Sequence, residues 1–277
     1  MPESNRERFV HELAKNEADL NLAYAALLMS QRLTQNFNTT LYLTLLDDIV
    51  RPLRRIVEAA DHDVDIVKHL NNYLFHELKF VGNTQQYYHP HNSFLNKVID
   101  LRTGIPISLS LIYLELGWRL NLPVWGVGLP GHFIVAYGPQ ESPIYIDVFN
   151  RGELLTEDEC MALARTTNIS RAAFRAEFLK PVTKRAMLFR MLLNLKQIYV
   201  SNEDWESAYR AVDMMLVVRP KEIGELRDRG LIAYRLNHLQ AAIFDIQRYL
   251  FLAPQVPEEE WLNQHLEMME DQILRLN

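Results

Sequence analysis

The chain has 277 residues, 48% of them hydrophobic and 23% charged, the composition of an ordinary globular protein with room for two modest domains. Thirty-five acidic against 29 basic side chains give a net charge of −6, which speaks against a phosphate-binding surface and so against a nucleic-acid partner. The one cysteine, Cys160, excludes an internal disulfide and a zinc ribbon and leaves at most one thiol for catalysis.

The start, Met1-Pro-Glu-Ser-Asn-Arg-Glu-Arg, is charged and has no apolar stretch behind it, which argues against a secretory signal. The longest apolar run, Ile107 to Leu122, is interrupted by Ser108, Ser110, Glu115, Arg119 and Asn121 and is too short for a membrane span. A cytoplasmic protein without a membrane span is expected.

Residues 1–82 read as an N-terminal helical region that packs on the core domain. Segments Glu7–Lys15, Leu20–Gln31, Leu41–Ala60 and Val64–Lys79 carry apolar residues three and four apart, the spacing of one helix face. Pro52 should kink or divide the third segment. Gly82-Asn83 reads as the stop of the fourth. Arg51, Arg54 and Arg55 are the densest basic cluster and read as a solvated helix face.

Residues 83–180 change character. Tyr87-Tyr-His-Pro-His-Asn-Ser reads as a turn entering a helix capped by Asn92 or Ser93. His89 and His91, with His76 nearby, are too few for a metal site. Gly104-Ile-Pro precedes a strong helical run, with Pro106 in the first turn, where proline is tolerated. Three strand-like pieces come next: Val124–Leu129, His132–Tyr137 and Ile144–Val148. A helix near Thr156 opens with a Thr156/Glu159 capping box. The segment reads as a small α+β domain with antiparallel strands.

Residues 184–277 return to helix with an internal repeat. Ala208 and Ala242 share an offset of 34 with Pro220 and Pro254, and at that offset Leu192 matches Leu226 and Val212 matches Ile246. This resembles the tetratricopeptide repeat, whose period is 34 and whose small residues let two helices cross closely. The first unit departs from that pattern with Lys196 in place of glycine, and the second with Ala233 in place of tyrosine. A last helix, Glu258–Leu276, should cap the stack. Two repeats are fewer than usually stand alone, so this tail is expected to pack on the middle domain.

The middle strands carry the candidate chemistry. With Gly138 opposite Pro143, Phe149 falls opposite His132 and Ile134 opposite Asp147. His132 and Asp147 then share a sheet face one diagonal step apart. A histidine oriented by a carboxylate is half of a nucleophilic triad. The other half would be best placed at a helix N-terminus, and the helix beginning at Pro106 is the obvious place.

Phe80-Val-Gly-Asn, Tyr88-His-Pro-His-Asn-Ser, Gly104-Ile-Pro-Ile-Ser-Leu-Ser, Gly128-Leu-Pro-Gly-His-Phe, Tyr145-Ile-Asp-Val-Phe-Asn and Leu155-Thr-Glu-Asp-Glu-Cys occur in order. Together they resemble a bacterial, divergent transglutaminase-like family whose members commonly carry a tetratricopeptide tail. The resemblance implies a mostly helical α+β fold. N-terminal helices precede a small transglutaminase- or papain-like core with a short antiparallel sheet, and helical repeats come after it. It implies a Cys–His–Asp triad, with His132 as the histidine and Asp147 as the aspartate. The cysteine maps to about Pro106, where this chain has only the hydroxyls of Ser108 and Ser110. Val148 stands where a proline often follows the aspartate, and Arg151 where glycine is usual.

Three readings of Ser108 compete: a helix-start residue satisfying local backbone groups, a ligand-binding group, or a nucleophile with His132 as base. His132 and Asp147 have two readings as well, a pair that simply stabilises a hairpin and, the preferred one, a pair that lines a pocket beside the helix start. Cys160, in the first turn after Thr156, follows Glu157, Asp158 and Glu159, whose charge opposes a thiolate. It reads as a small structural residue. The preferred expectation is a transglutaminase-like scaffold without the catalytic cysteine, a pseudoenzyme. It would act on another protein through the repeats and the degenerate cleft, with no cofactor and no metal. The alternative is a hydrolase or acyl-transfer enzyme using Ser108 or Ser110 with His132 and Asp147.

Overall fold

The computed structural model describes residues 4–34, 37–164 and 170–276. Residues 1–3, the first of the charged start read for a secretory signal, lie outside the described residues. The chain divides into two compact units, residues 1–187 and 188–277.

The first unit opens with α1 (Asn5–Ala14), where the Ser4 hydroxyl accepts from the Glu7 N–H and the Glu7 carboxylate accepts from the Ser4 N–H. α2 (Leu22–Leu33) is buried along most of its length. Its first turn is held by Glu115, which accepts the Ala23 N–H at 3.0 Å from 92 residues away. The expected third segment divides at Pro52 into α3 (Thr39–Val50) and α4 (Leu53–Glu58).

The fourth segment differs from expectation. α5 (Asp63–Asn71) runs into a π-helical turn, Asn72–Glu77, where the Leu78 N–H reaches the Tyr73 carbonyl at 2.9 Å. The helix ends at Lys79, whose φ of 61° turns the chain out before Gly82. Gly82 instead lies in a two-residue strand, β1 (Val81–Gly82), paired parallel to a second one at Thr103–Gly104.

Between them a 3₁₀ turn, Pro90–Ser93, leads into α6 (Leu95–Leu101). Neither Asn92 nor Ser93 caps that helix. Phe94 occupies the cap position without a side-chain bond, because the Asn92 side chain turns back to the Gln86 and Tyr87 carbonyls and to Asn83. After β2 (Thr103–Gly104), α7 (Pro106–Arg119) starts with proline at its first position.

A four-stranded antiparallel sheet comes next, its strands in sequential order: β3 (Val124–Val127), β4 (Ile134–Tyr137), β5 (Ile144–Asp147) and β6 (Glu153–Leu155). Sequence patterning missed β6 and the parallel β1–β2 pair. α7 crosses one face of the sheet so closely that a Cβ at Gly117 would lie 2.3 Å from Val124 Cγ2. That contact outweighs the cost of about 1 kcal/mol for a glycine inside a helix. On the other face, Val127, Ile134, Ala136 and Tyr145 pack on α8 (Glu157–Leu163), with its Thr156/Glu159 capping box, and on α9 (Arg171–Phe178). α9 had no sequence signal strong enough to be drawn.

The carboxy-terminal unit is built on α10 (Lys184–Ser201) from Leu188 onward, α11 (Trp205–Val218), α12 (Ile223–Arg235), α13 (Leu239–Leu252) and α14 (Glu259–Leu276). α11 and α13 begin and end 34 residues apart, the offset read from sequence. Gly230 brings α12 onto α13: a Cβ there would stand 2.7 Å from Ile246 Cγ1 and 3.2 Å from the Ala242 carbonyl oxygen. Lys196, the departure from glycine in the first unit, instead sends its ammonium to Glu225, at 2.7 Å, and to Asp228 on α12. Arg229 ties three helices together, bonding both oxygens of the buried Asp245 and Asp213 Oδ1. α14 closes the stack with Leu262, Leu266 and Met269.

Candidate functional site

β4 and β5 pair with Val135 opposite Ile146, Ala136 opposite Tyr145 and Tyr137 opposite Ile144, the register expected from the turn at Gly138–Pro143. That register brings His132 Nε2, two residues before β4, to 3.0 Å from Oδ2 of Asp147, the last residue of β5. Asp147 is 1% exposed. Its Oδ1 accepts the Phe149 and Asn150 N–H groups at 3.0 and 3.2 Å, and its Oδ2 accepts from Asn150 Nδ2 at 2.8 Å. Burial works against ionisation, but His132 and Asn150 outweigh it and hold the carboxyl below its ordinary pKa.

Asn150 was missed in the sequence. The signal was present: Asp147 and Asn150, three apart and just ahead of Arg151-Gly152, are residue types whose side chains close their own turns, and the structure places a turn there, with positive φ at Arg151 and Gly152. Asn71, at the junction of α5 and the π turn, donates to the Gly152 carbonyl at 2.7 Å. Tyr137 donates to Asp63 on the same helix at 3.0 Å. α5 therefore holds the sheet at both ends, through Asp63 at the Tyr137 end and through Asn71 at the turn after Asp147.

The His132 ring stands edge-on to Phe149 at 6.2 Å, and Phe149 meets Tyr87 at 6.0 Å. A Cβ at Gly82 would lie 2.6 Å from the Phe149 ring, so glycine is what lets β1 approach this aromatic wall. These contacts bring the His132–Asp147 pair and the segment before α7 into one neighbourhood.

Ser108 is fully buried. Its hydroxyl accepts the Ile105 N–H at 3.0 Å and donates to the Asn92 carbonyl at 2.6 Å. Asn92 continues the chain to Asn83, whose Nδ2 it accepts at 3.0 Å. Ser110 is also fully buried, and its hydroxyl finds no partner among the described residues. Among the described residues neither serine bonds to His132 or Asp147. The geometry thus presents an oriented imidazole and its carboxylate, while the serine at the helix start is used as a backbone cap.

Cys160 sits in the core beneath the sheet, fully buried. Burial first, then the charges of Asp147, Glu157 and Glu159, push its thiol up to about 12, the reverse of what a nucleophilic thiolate needs. The His91 N–H donates to His89 Nδ1 at 3.2 Å, and His76 is exposed on the π turn. No three His, Cys, Asp or Glu side chains among the described residues are grouped to hold a metal ion. Arg51, Arg54 and Arg55 are exposed, with Arg51 paired to Asp48. No helix among the described residues is long and apolar enough to cross a membrane.

Comparison with known proteins covers both units. The family model described as transglutaminase-like superfamily matches residues 40–193, and one described as tetratricopeptide repeat matches residues 195–267. A UPF0162 protein of Xylella fastidiosa is 35% identical over 254 residues, 91% of this chain and 90% of its own length. One of Vibrio cholerae is 30% identical over 219 residues, 78% of this chain and 81% of its own. F-box only protein 21 of Homo sapiens is 30% identical over 176 residues, which are 61% of this chain but 28% of that protein. No solved structure matches.

Proposed function

The chain belongs to the transglutaminase-like superfamily, in the UPF0162 group with tetratricopeptide repeats, and from that premise we propose that it is a scaffold that has given up the family's thiol chemistry. It works in the cytoplasm by contact with another protein, not a nucleic acid, through the repeat unit and the degenerate cleft. The observation that carries this reading is the state of Ser108. The residue standing near the expected thiol is fully buried and spends its hydroxyl on Ile105 and Asn92. Stacked helix pairs, in turn, form the concave surfaces that peptides and helices occupy.

The test is affinity capture with the full chain, repeated with Leu231→Gln and Trp205→Ala in the repeat unit. A specific protein recovered by the parent and released by these changes is the expected result. Recovery of nothing above background under several conditions, or recovery unaffected by the changes, would count against it.

The His132–Asp147 bond favours a second reading, a hydrolase or acyl-transfer enzyme using Ser108 or Ser110. That reading needs a serine hydroxyl within hydrogen-bond reach of His132 and donors for an oxyanion. A serine-reactive phosphonate distinguishes the two: label on the parent that is absent from Ser108→Ala would move the assignment to an enzyme.

A further inference from the structure

The repeat unit contains a cavity of about 310 Å³ between α10 and α12, lined by Val200, Trp205, Leu231 and Ile232 with Lys196, Asp228 and Arg235. Its charges are not equivalent. Lys196 is answered twice, by Glu225 and Asp228. Asp228 is also gripped by the Arg227 guanidinium through Nε and Nη2, so it presents little free negative charge. Arg235 differs. It is exposed, and its guanidinium lies over the Trp205 ring at 5.6 Å, with no carboxylate beside it among the described residues.

One unanswered cation therefore stands at the edge of an aromatic and aliphatic hollow. A guanidinium pre-positioned on an aromatic face can still offer its in-plane N–H groups to a carboxylate. The volume is at the small end of ligand pockets, enough for a single residue and too small for a long helix face. A residue that brings both a carboxylate and an apolar side chain suits a guanidinium beside an aliphatic wall, and a free chain end is such a residue.

We propose that this cavity receives the carboxy-terminus of a partner polypeptide ending in an aliphatic residue. Arg235 takes the α-carboxylate, and the side chain lies on Trp205, Val200, Leu231 and Ile232. The inference rests on the protein-contact reading above and names the part of the partner that is recognised.

The experiment titrates the full chain with three probes by calorimetry: N-acetyl-Gly-Ser-Leu-Leu with a free carboxylate, the same peptide as its carboxamide, and the carboxamide peptide N-acetyl-Gly-Glu-Leu-Leu. The free acid is expected to bind at least about tenfold more tightly than either amide, the loss that goes with a charge-assisted bond. Arg235→Gln, at an exposed position, should remove that preference while the melting temperature stays unchanged. Equal binding of acid and carboxamide, binding of the internal-glutamate peptide as tight as the acid, a preference that survives Arg235→Gln, or no binding of any probe each overturns the proposal. Capture of a protein partner that is indifferent to Arg235→Gln overturns it as well, while leaving the protein-contact reading in place.

Discussion

The Ser108 hydroxyl donates to the Asn92 carbonyl across 2.6 Å, joining the first turn of α7 to a 3₁₀ turn 16 residues earlier. The same oxygen accepts the Ile105 N–H. The side chain is thus a two-sided clamp on buried backbone. Ser108→Ala leaves a donor and an acceptor unpaired and should cost about 1–3 kcal/mol of stability, read as a lower urea midpoint at unchanged slope. A cost near zero would show that water or a local shift satisfies both groups.

Asp147 gives a pH signature. Its folded pKa lies below the ordinary value, so the unfolded state takes up its proton first as pH falls. Its contribution is fully present above the unfolded pKa, near 4, and is lost as pH drops through the folded value. Asp147→Asn should cost about 2–4 kcal/mol at neutral pH, the range for breaking a buried, charge-assisted network. The gap between variant and parent should narrow in urea titrations carried below about pH 4. A gap constant with pH would show that packing, not charge, sets the loss.

Cys160 should resist a disulfide-exchange reagent at pH 8 in the native protein and react at once in denaturant. Burial and three nearby carboxylates keep its thiol protonated, with the pKa pushed up to about 12. Reaction of the folded chain at the rate of a free thiol would contradict that environment.

Two glycines on α12 should respond in opposite directions. Gly230→Ala drives a Cβ into Ile246 and should destabilise the repeat unit by about 1–3 kcal/mol, the range for overpacking. A Cβ at Gly224 meets nothing within 4 Å. Gly224→Ala should therefore stabilise by about 0.4–1 kcal/mol through reduced freedom of the unfolded chain. Thermal melts of the two variants decide the matter, and equal shifts would refute the packing argument for Gly230.

Much of the fold was legible in the sequence where local rules decide. The turn at Gly138–Pro143 and the two-residue period fixed which residues of β4 and β5 face each other, and with them the approach of His132 to Asp147. The offset of 34 was legible because Ala208 and Ala242, both fully buried, recur at it together with Pro220 and Pro254. Contacts that span sequence distance were not legible. Asn92 reads locally as a cap, but its amide is claimed by carbonyls at Gln86 and Tyr87. β6 is three residues long, and only its pairing with β5 makes it a strand. The π turn after Asn71 leaves the spacing of apolar residues almost unaltered.

The grip of Asn71 on the Gly152 carbonyl, with that of Glu115 on the Ala23 N–H, bears on how the chain can be divided. The change in composition near residue 83 looks like a seam. Cutting there would strand the Glu115 carboxylate beside Arg119 in an opened core and free the turn that positions Asp147. The N-terminal helices and the sheet lie within one compact unit, and a fragment starting at residue 83 would carry the family's motifs without the contacts that hold the turn after Asp147.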